Sequence, residues 1–236
     1  MRTLVVCSGG LDSVTLAHKV AREDTLLRLV SFNYGQRHAK ELDYARSCAH
    51  RLGVGHEVID ISDLGRRLTG SALTDALAVP EGHYREESMR LTVVPNRNAI
   101  LLTIAFGLAV AGGAEAVAAA MHGGDHFIYP DCRPSFMDAL ASLQRCALEG
   151  LASIALSTPF LTWSKARIVR EGARLGVPFE ETWSCYKGGA HHCGRCGTCV
   201  ERCEAFSLAG IADPTSYDDC EYWREARRAY LASPRA

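Results

Sequence analysis

The sequence lacks the features that direct a chain into a membrane, into the secretory pathway or onto a nucleic acid. No apolar run reaches the roughly 18 residues that a membrane-spanning helix needs. The amino terminus "MRTLVVCSGG" has neither the long apolar segment nor the cleavage site of a signal peptide. Lys and Arg total 26 against 27 for Asp and Glu, a formal net charge of -1. We therefore expect a cytoplasmic protein that binds no membrane and does not bind nucleic acid directly.

Internal repeats and low-complexity linkers are also absent, and 236 residues suffice for one sizeable domain with a small addition. Strand-like segments alternate with helical patterns: "LVVC", "TLLRLVSFNYGQ", "HEVIDI", "EAVAAAM" and "ASIALSTPF" are the predicted strands. This alternation predicts an α/β fold, with a parallel sheet covered by helices on both faces. Residues 64–95 interrupt the alternation, and an irregular segment of that length in a compact domain is typical of a functional loop.

The segment "LVVCSGGLDSVTLA", residues 4–17, predicts a strand, a tight loop and a helix. The first N–H groups of a helix are unpaired and lie at the positive end of its dipole, so they favour an anion such as phosphate. Gly9 and Gly10 let a phosphate approach the backbone, while Ser8 and Ser13 add hydroxyl donors. An ordinary strand–helix turn is the alternative for a Gly-Gly pair taken alone.

The loop has no lysine of the GxxxxGK[ST] type, so hydrolysis of the γ-phosphate is not the expected chemistry. The hexapeptide "SGGLDS" instead resembles the PP-loop of the N-type ATP pyrophosphatases. That resemblance implies a loop that holds the β,γ-pyrophosphate of ATP while a substrate oxygen attacks the α-phosphate. The products would be an adenylated substrate and pyrophosphate.

Four of the ten cysteines crowd into "CYKGGAHHCGRCGTC", with seven, two and two residues between them. The four are Cys185, Cys193, Cys196 and Cys199. Two overlapping CxxC knuckles with Gly194 and Gly197 in the turns allow four thiolates to close on one ion, which predicts one structural zinc per chain. An iron–sulfur cluster, reactive thiols and plain core cysteines are the alternatives. His191 or His192 could replace one thiolate, and Cys203 is predicted to be a core residue.

Six further segments appear in a fixed order with this cluster: "SGGLDS", "YGQRHAKE", "VPNRN", "GGDHFIYPDCRPSF", "TPFLTWSKA" and "ETWSCYKG". Together they resemble the QueC family over nearly the whole chain. Two segments depart from the usual pattern of that family: Asn96 in "VPNRN" stands where many members have glycine, and "HGGDHFIYP" replaces a "NAEDYSGYP" type of sequence. Both departures lie near the inferred substrate pocket.

The resemblance implies a Rossmann-like PP-loop ATPase fold, four zinc cysteines and a homodimer. It places a PP-loop ATP-binding domain at residues 1–180 and a small C-terminal zinc-binding region at residues 181–236. The implied reaction is an ATP-dependent ligation in which 7-carboxy-7-deazaguanine and ammonia give a nitrile, with ATP and Mg²⁺ as cosubstrate. The carboxylate is adenylated and converted to an amide, and a second activation of the amide oxygen gives the nitrile. Such catalysis depends on positioning and charge stabilisation, without a covalent enzyme nucleophile.

Each step of this chemistry has candidate residues. The ATP-binding loop is expected to comprise Cys7, Ser8, Gly9, Gly10, Leu11, Asp12 and Ser13. The catalytic candidates are Asp12, Arg37, His38, Arg97 and Lys165. Asp12 could orient the loop or Mg²⁺, and the cations could meet phosphates, substrate carboxylate or the transition state, although such residues are also common in solvated loops and first helical turns.

The substrate-binding candidates are Asp125, Phe127, Tyr129, Asp131 and Arg133, which supply a stacking surface, acceptors for the base and a cation for its carboxylate. Any one aromatic side chain there could equally be packing. Two other functions remain open from the sequence. One is a related PP-loop enzyme that adenylates another deazapurine or a tRNA base, and the other is a zinc-ribbon binding module, which leaves "SGGLDS" unused.

Overall fold

A computed structural model describes residues 1–233 and places a five-stranded parallel sheet at the centre of the protein. The strands are β1 (Arg2–Val6), β2 (Thr25–Asn33), β3 (Gly55–Asp60), β4 (Ala116–Ala118) and β5 (Ala155–Ser157). Their order across the sheet is β3-β2-β1-β4-β5, and every neighbouring pair is parallel. The strand order reverses at β1, and in such sheets the crevice at the carboxyl ends beside that point is where ligands bind.

The strands are connected and covered by helices, as the alternating sequence pattern predicts. The helices are α1 (Leu11–Glu23), α2 (Glu41–Leu52), α3 (Ser62–Gly65), α4 (Arg97–Ala111), α5 (Pro134–Ala147), α6 (Lys165–Leu175), α7 (Gly197–Ala209) and α8 (Tyr222–Ala232). Short 3₁₀ turns occur at Glu87–Thr92, Asp125–Phe127, Pro130–Cys132 and Phe179–Glu181. None of the helices within these 233 residues is long and apolar enough to cross a membrane.

Two apolar cores lie on opposite faces of the sheet because side chains alternate along each strand. Leu4 of β1 packs in a core with Phe106 of α4, whereas its neighbour Val5 packs in a core with Leu16 of α1 and Ile168 of α6. All five side chains are at most 1% exposed, and burying each contributes about 1.5–3 kcal/mol. The prediction of helices on both faces of a parallel sheet is confirmed.

Several element boundaries differ from the predicted ones. The segments "EAVAAAM" and "ASIALSTPF" each contribute only three strand residues, β4 and β5. Apolar residues beyond these strands pack in the cores without continuing the ladder, as the fully buried Phe160 shows. Helix α8 was not predicted, because its sequence is polar and buries only Ala226. It is held against α7 by an ion pair of 2.7 Å between Arg227 and Glu204.

The predicted zinc-binding region, residues 181–236, contributes to the main core as well as to its own. Phe206 of α7 makes an edge-to-face contact of 5.0 Å with Phe179 and belongs to the same core as Val5. A third, smaller core surrounds the cysteines and includes Val79 and Trp183. The division of the chain at residue 180 stays a prediction, and residues 234–236 of that region lie outside the described residues.

Candidate active site and metal centre

The "SGGLDS" loop follows β1 and leads directly into α1, as the sequence predicts. Gly9 has φ +87°, and a Cβ atom built there would lie 2.1 Å from the carbonyl oxygen of Glu41, so no other residue fits this position. The hydroxyl oxygens of Ser8 and Ser13 are 3.2 Å apart. Gly10 precedes the helix without a side-chain cap. The first-turn N–H groups of α1 are therefore available to an anion.

Two adjoining cavities of about 240 and 160 Å³ lie at the carboxyl ends of the strands, beside this loop. We call them the first and the second cavity. They share seven lining residues, which are Ser8, Gly10, Asp12, Glu41, Asp125, Tyr129 and Tyr186. The first cavity extends over the ends of β1 and β2 toward Arg97, and the second extends toward Lys165. Of the described arginines and lysines, Arg97 alone lines the first cavity and Lys165 alone lines the second.

Lys165 begins α6 and is buried rather than solvent-facing. Its Nζ lies 3.1 Å from Oδ2 of Asp12 and 2.7 Å from Oε2 of Glu201. Burial alone lowers the pKa of Lys165, but the charges of Asp12, Glu201 and Asp125 raise it above its ordinary value. The ammonium group therefore stays charged at neutral pH. Because its partners are in the second cavity, the positive charge is held beside the loop that would bind pyrophosphate.

His122 completes this cluster and is only 1% exposed. Its Nδ1 accepts a hydrogen bond from the N–H of Gly124 at 3.0 Å, and its Nε2 lies 3.4 Å from Nζ of Lys165. Nε2 lies 3.6–3.9 Å from carboxylate oxygens of Asp12, Asp125 and Glu201. These distances exceed a direct hydrogen bond, so the imidazole lies among the carboxylates without bonding to them directly.

The donor set of this cluster fits a magnesium ion that accompanies ATP. Oδ1 of Asp12 is buried and has no hydrogen-bond partner within residues 1–233, and the carboxylate of Asp125 lines the same two cavities. Mg²⁺ prefers one or two carboxylate oxygens together with phosphate oxygens of the substrate. Asp12 and Asp125 are therefore suited to hold the ion next to the pyrophosphate loop.

Arg97 reaches the first cavity from the start of α4. Its guanidinium group donates to the hydroxyl of Tyr34 at 3.3 Å. No carboxylate of residues 1–233 lies within ion-pair distance of it. The preceding Asn96 has φ +58°, a left-handed conformation that asparagine tolerates better than most residues. An unpaired guanidinium group in a cavity is suited to a carboxylate or phosphate ligand.

The structure does not bring all predicted residues to the cavities. Arg37 is exposed and donates to the carbonyl oxygens of Asp75 and Leu77. Phe127 is 52% exposed. Arg133 is exposed and donates to a backbone carbonyl. Oδ2 of Asp131 accepts the backbone N–H of Asn98 at 3.0 Å and so supports the start of α4.

The other predicted residues converge on the cavities. The loop residues, Asp12, His38, Arg97, Asp125, Tyr129 and Lys165 all lie there, except that Gly9 supports the loop from behind. Sequence reasoning missed Tyr34, Glu41, His122, Tyr186 and Glu201, which also line the cavities or pack around Lys165. Four of these five lie within or beside the segments "YGQRHAKE", "HGGDHFIYP" and "ETWSCYKG", which already stand out in the sequence. Glu201 lies in none of the quoted segments, and its sequence context is that of an ordinary glutamate in a helix.

The four predicted cysteines form one compact group. The sulfur atoms of Cys185, Cys193, Cys196 and Cys199 all lie within 4.8 Å of one another. Four thiolates around one zinc, at about 2.3 Å each, would be roughly 3.8 Å apart, so the group fits such an ion. Backbone N–H groups of residues 193, 195 and 196 donate to sulfur atoms of the group at 3.3–3.4 Å.

Cys203, His191 and His192 lie near the cysteine group but do not belong to it. Cys203 is buried and lies outside the four-sulfur cluster, so its prediction as a core residue is confirmed. Nε2 of His192 accepts the backbone N–H of Ser184 at 3.0 Å, and His191 pairs with Asp218. Neither histidine takes the place of a thiolate.

Backbone hydrogen bonds join the cysteine group to the cavities. Trp183, two residues before Cys185, donates its N–H to the carbonyl oxygen of Gly9 at 2.9 Å. On the other side, Gly82 donates its N–H to the carbonyl of Arg195, and Glu81 pairs with Arg195 at 2.8 Å. The segment 64–95 thereby reaches the second cavity, which Tyr84, Met89 and Thr92 line. Neighbours of the cysteine group in the chain, Trp183, Ser184, Gly197 and Thr198, thus line the second cavity.

Comparison with known proteins gives a consistent result. A family model described as "Queuosine biosynthesis protein QueC" matches residues 2–210. A protein of Rhizobium meliloti (strain 1021) named 7-cyano-7-deazaguanine synthase is 66% identical over 232 residues, covering 98% of each chain. A protein of the same name from Agrobacterium fabrum (strain C58) is 65% identical, with 98% of each chain covered. The solved structure of NMN synthetase from Francisella tularensis is similar in fold, with a TM-score of 0.51, 13% identity and coverage of 100% of this chain and 88% of that one.

Proposed function

The chain belongs to the QueC family, and we propose that it is an ATP-dependent 7-cyano-7-deazaguanine synthase in the biosynthesis of queuosine. In this reaction 7-carboxy-7-deazaguanine and ammonia give the nitrile through an adenylate and an amide. The observation that carries the proposal is the meeting of a lysine-free phosphate loop with two partly buried cations, Arg97 and Lys165, at adjoining cavities. Tyrosines 34, 129 and 186 line the first cavity and offer stacking surfaces for a flat bicyclic base.

The first step forms an acyl adenylate from the carboxylate and ATP. The N–H groups at the start of α1 and the hydroxyls of Ser8 and Ser13 bind the β,γ-pyrophosphate. Arg97, which has no protein carboxylate as partner, binds the negative oxygens where the substrate carboxylate meets the α-phosphate. Lys165 stabilises the charge that develops on the leaving pyrophosphate. Asp12 and Asp125 would hold a Mg²⁺ ion, which would supply further neutralisation of phosphate charge.

The second half of the reaction repeats the activation in the same site. Ammonia displaces AMP to give the amide, and the amide oxygen then attacks the α-phosphate of a second ATP. Loss of AMP from the resulting imidoyl adenylate gives the nitrile. No covalent nucleophile of the enzyme is needed, because binding and charge stabilisation supply the catalysis.

Three further features belong to the proposal. The cysteine group holds one structural zinc, which the closed four-thiolate shell and its backbone N–H donors support. The chain acts as a homodimer on a small molecule. It binds no nucleic acid directly, in line with a net charge of -1.

The proposal is tested with the synthetic amide of the substrate. Wild-type protein with the amide and ATP, and without ammonia, should give the nitrile together with AMP and pyrophosphate. If the carboxylate is converted to the amide but the amide is not converted to the nitrile, the protein is an amide-forming relative. If ADP and orthophosphate form in a substrate-dependent way, the α-phosphate mechanism is rejected.

A further inference from the structure

The carboxyl group of Glu41 lies where the two cavities meet and has no role in the adenylation described above. Its side chain is 11% exposed and lines both cavities. Glu41 is the first residue of α2, and its carbonyl oxygen is in close contact with Gly9. The carboxyl group is therefore held in a fixed position relative to the pyrophosphate loop.

Hydrogen bonds orient this carboxyl group and leave one oxygen free. Gln36 accepts the N–H of Tyr34 through Oε1 at 2.9 Å, so its Nε2 is the donor to the carbonyl of Phe32 and to Oε1 of Glu41, at 3.0 and 3.1 Å. Nε2 of His38 is 3.6 Å from the same Oε1, which exceeds a hydrogen bond. Oε2 meets no donor from residues 1–233. It is the oxygen available to a ligand in the cavity.

The surroundings of the carboxyl group suit proton transfer near neutral pH. Burial raises the pKa of Glu41 to about 8, although the Gln36 hydrogen bond and the charge of Arg97 lower it and the Cys7 thiol raises it further. Burial also lowers the pKa of His38 to about 3, so this imidazole is neutral and provides no counter-charge. A group that titrates near the working pH can accept a proton in one step and release it before the next.

We propose that Glu41 binds the incoming ammonium ion through Oε2 and removes its proton, acting as the general base of the amidation step. The inference rests on the proposed function, since ammonia is a reactant only in that reaction. Ammonium is the main form at neutral pH and has no lone pair with which to attack. In its ionised form, which predominates above about pH 8, the Glu41 carboxylate next to the pyrophosphate loop both attracts the cation and accepts its proton.

The step balances as follows. Ammonium transfers one proton to Glu41, and the lone pair of the resulting ammonia forms the C–N bond to the adenylated carbonyl carbon. The C–O bond to AMP breaks, with its electron pair remaining on the phosphate oxygen. A second proton from the attacking nitrogen leaves on the AMP phosphate, and the neutral amide remains. Glu41 then returns its proton to solvent.

Glu41→Gln separates this role from a structural one. The substitution keeps the size of the side chain and an Oε1 acceptor for Gln36, so the fold should be retained. Substrate-dependent ATP–pyrophosphate exchange, measured without ammonia, should change less than about threefold. Amide formation from ammonium should fall at least about 100-fold. With hydroxylamine, which is already neutral at this pH, the variant should form hydroxamate at a rate within about fivefold of wild type.

Controls make each outcome decisive. Glu57→Gln, on β3 and far from the cavities, should leave all three rates unchanged. Glu41→Asp, which keeps the acid but withdraws it by one methylene, should show the same selective loss to a smaller extent, and it replaces Glu41→Gln if that variant does not fold. Equal loss of exchange and amidation, or ammonium turnover within twofold of wild type, overturns the inference. Absence of exchange in the wild type instead contradicts the proposed function itself.

Discussion

The ammonium group of Lys165 lies 3.1 Å from the carboxylate of Asp12 and so joins the first turn of α6 to the first turn of α1. The two helices begin at the carboxyl edge of the sheet, where the phosphate loop ends. A buried cation beside an anion loop has two structural consequences. It offsets the repulsion between Asp12 and Glu201, and it places a fixed positive charge next to the proposed site of pyrophosphate departure.

Lys165→Met should therefore lower turnover by roughly 100-fold or more, because a preorganised charge at the leaving group is lost. AMP formation measured with saturating substrates tests this. The matched control is Lys19→Met. Lys19 is also paired with two carboxylates, of Glu23 and Glu171, and its side chain is 16% exposed against 12% for Lys165, but it lies away from the cavities. Similar losses of activity in both variants would show that the effect is one of stability.

The sequence offers Arg133 as the residue that binds the substrate carboxylate, whereas the structure favours Arg97. Arg97→Met should lower kcat/KM for the deazapurine carboxylate by roughly 30-fold, the loss of a charge-assisted hydrogen bond. Arg133→Met should have little effect, since its side chain is exposed and donates to a backbone carbonyl. Steady-state kinetics with varied carboxylate decides between them. The reverse ranking would return the role to Arg133.

The cysteine group should couple metal content to folding, because its site exists only in the folded chain. Cys196→Ser should lose most of the bound zinc and lower the melting temperature by roughly 10 °C. Cys203→Ser, one helical turn beyond Cys199, should retain about one zinc per chain. Elemental analysis and thermal melts of the two variants and the wild type provide the measurement. Iron in the wild type, or full zinc in Cys196→Ser, would contradict the assignment.

The raised pKa of Glu41 should make the difference in stability between Glu41→Gln and wild type depend on pH. Its folded pKa of about 8 exceeds the ordinary value of 4.5. The contribution of protonated Glu41 to the stability of the fold is therefore fully present below pH 4.5 and is lost as the pH rises through 8. Glu41→Gln should match wild type to within about 1 kcal/mol at pH 5 and exceed it by about 4–5 kcal/mol at pH 9.

The control is Glu171, whose pKa is shifted in the opposite direction from that of Glu41. Arg174 and Lys19 lower the pKa of Glu171 to about 2, so its stabilising effect is present above pH 4.5 and is lost as the pH falls through 2. Glu171→Gln should therefore be less stable than wild type at neutral pH. Urea unfolding across the pH range measures both variants. A constant difference between Glu41→Gln and wild type from pH 5 to pH 9 would mean that Glu41 is not buried as an acid.

The sequence predicted those parts of the protein that depend on local patterns. The alternation of strands and helices, the phosphate loop and the four cysteines each follow from neighbouring residues. What it missed depends on tertiary packing. Glu201 looks like a solvated helix residue until α7 packs beside α6, and Lys165 looks exposed until Asp12 and Glu201 surround it. Phe127 and Arg133 had suitable chemistry, but the 3₁₀ turns around Pro130 direct them outward.

The most direct test of the central claim follows one reaction to its products. Wild-type protein is incubated with ATP, isotopically labelled ammonium and 7-carboxy-7-deazaguanine, and the products are identified by mass. The account predicts a nitrile that contains the labelled nitrogen, with two AMP and two pyrophosphate formed for each nitrile. Unchanged carboxylate, or a labelled product accompanied by ADP and orthophosphate, would contradict it.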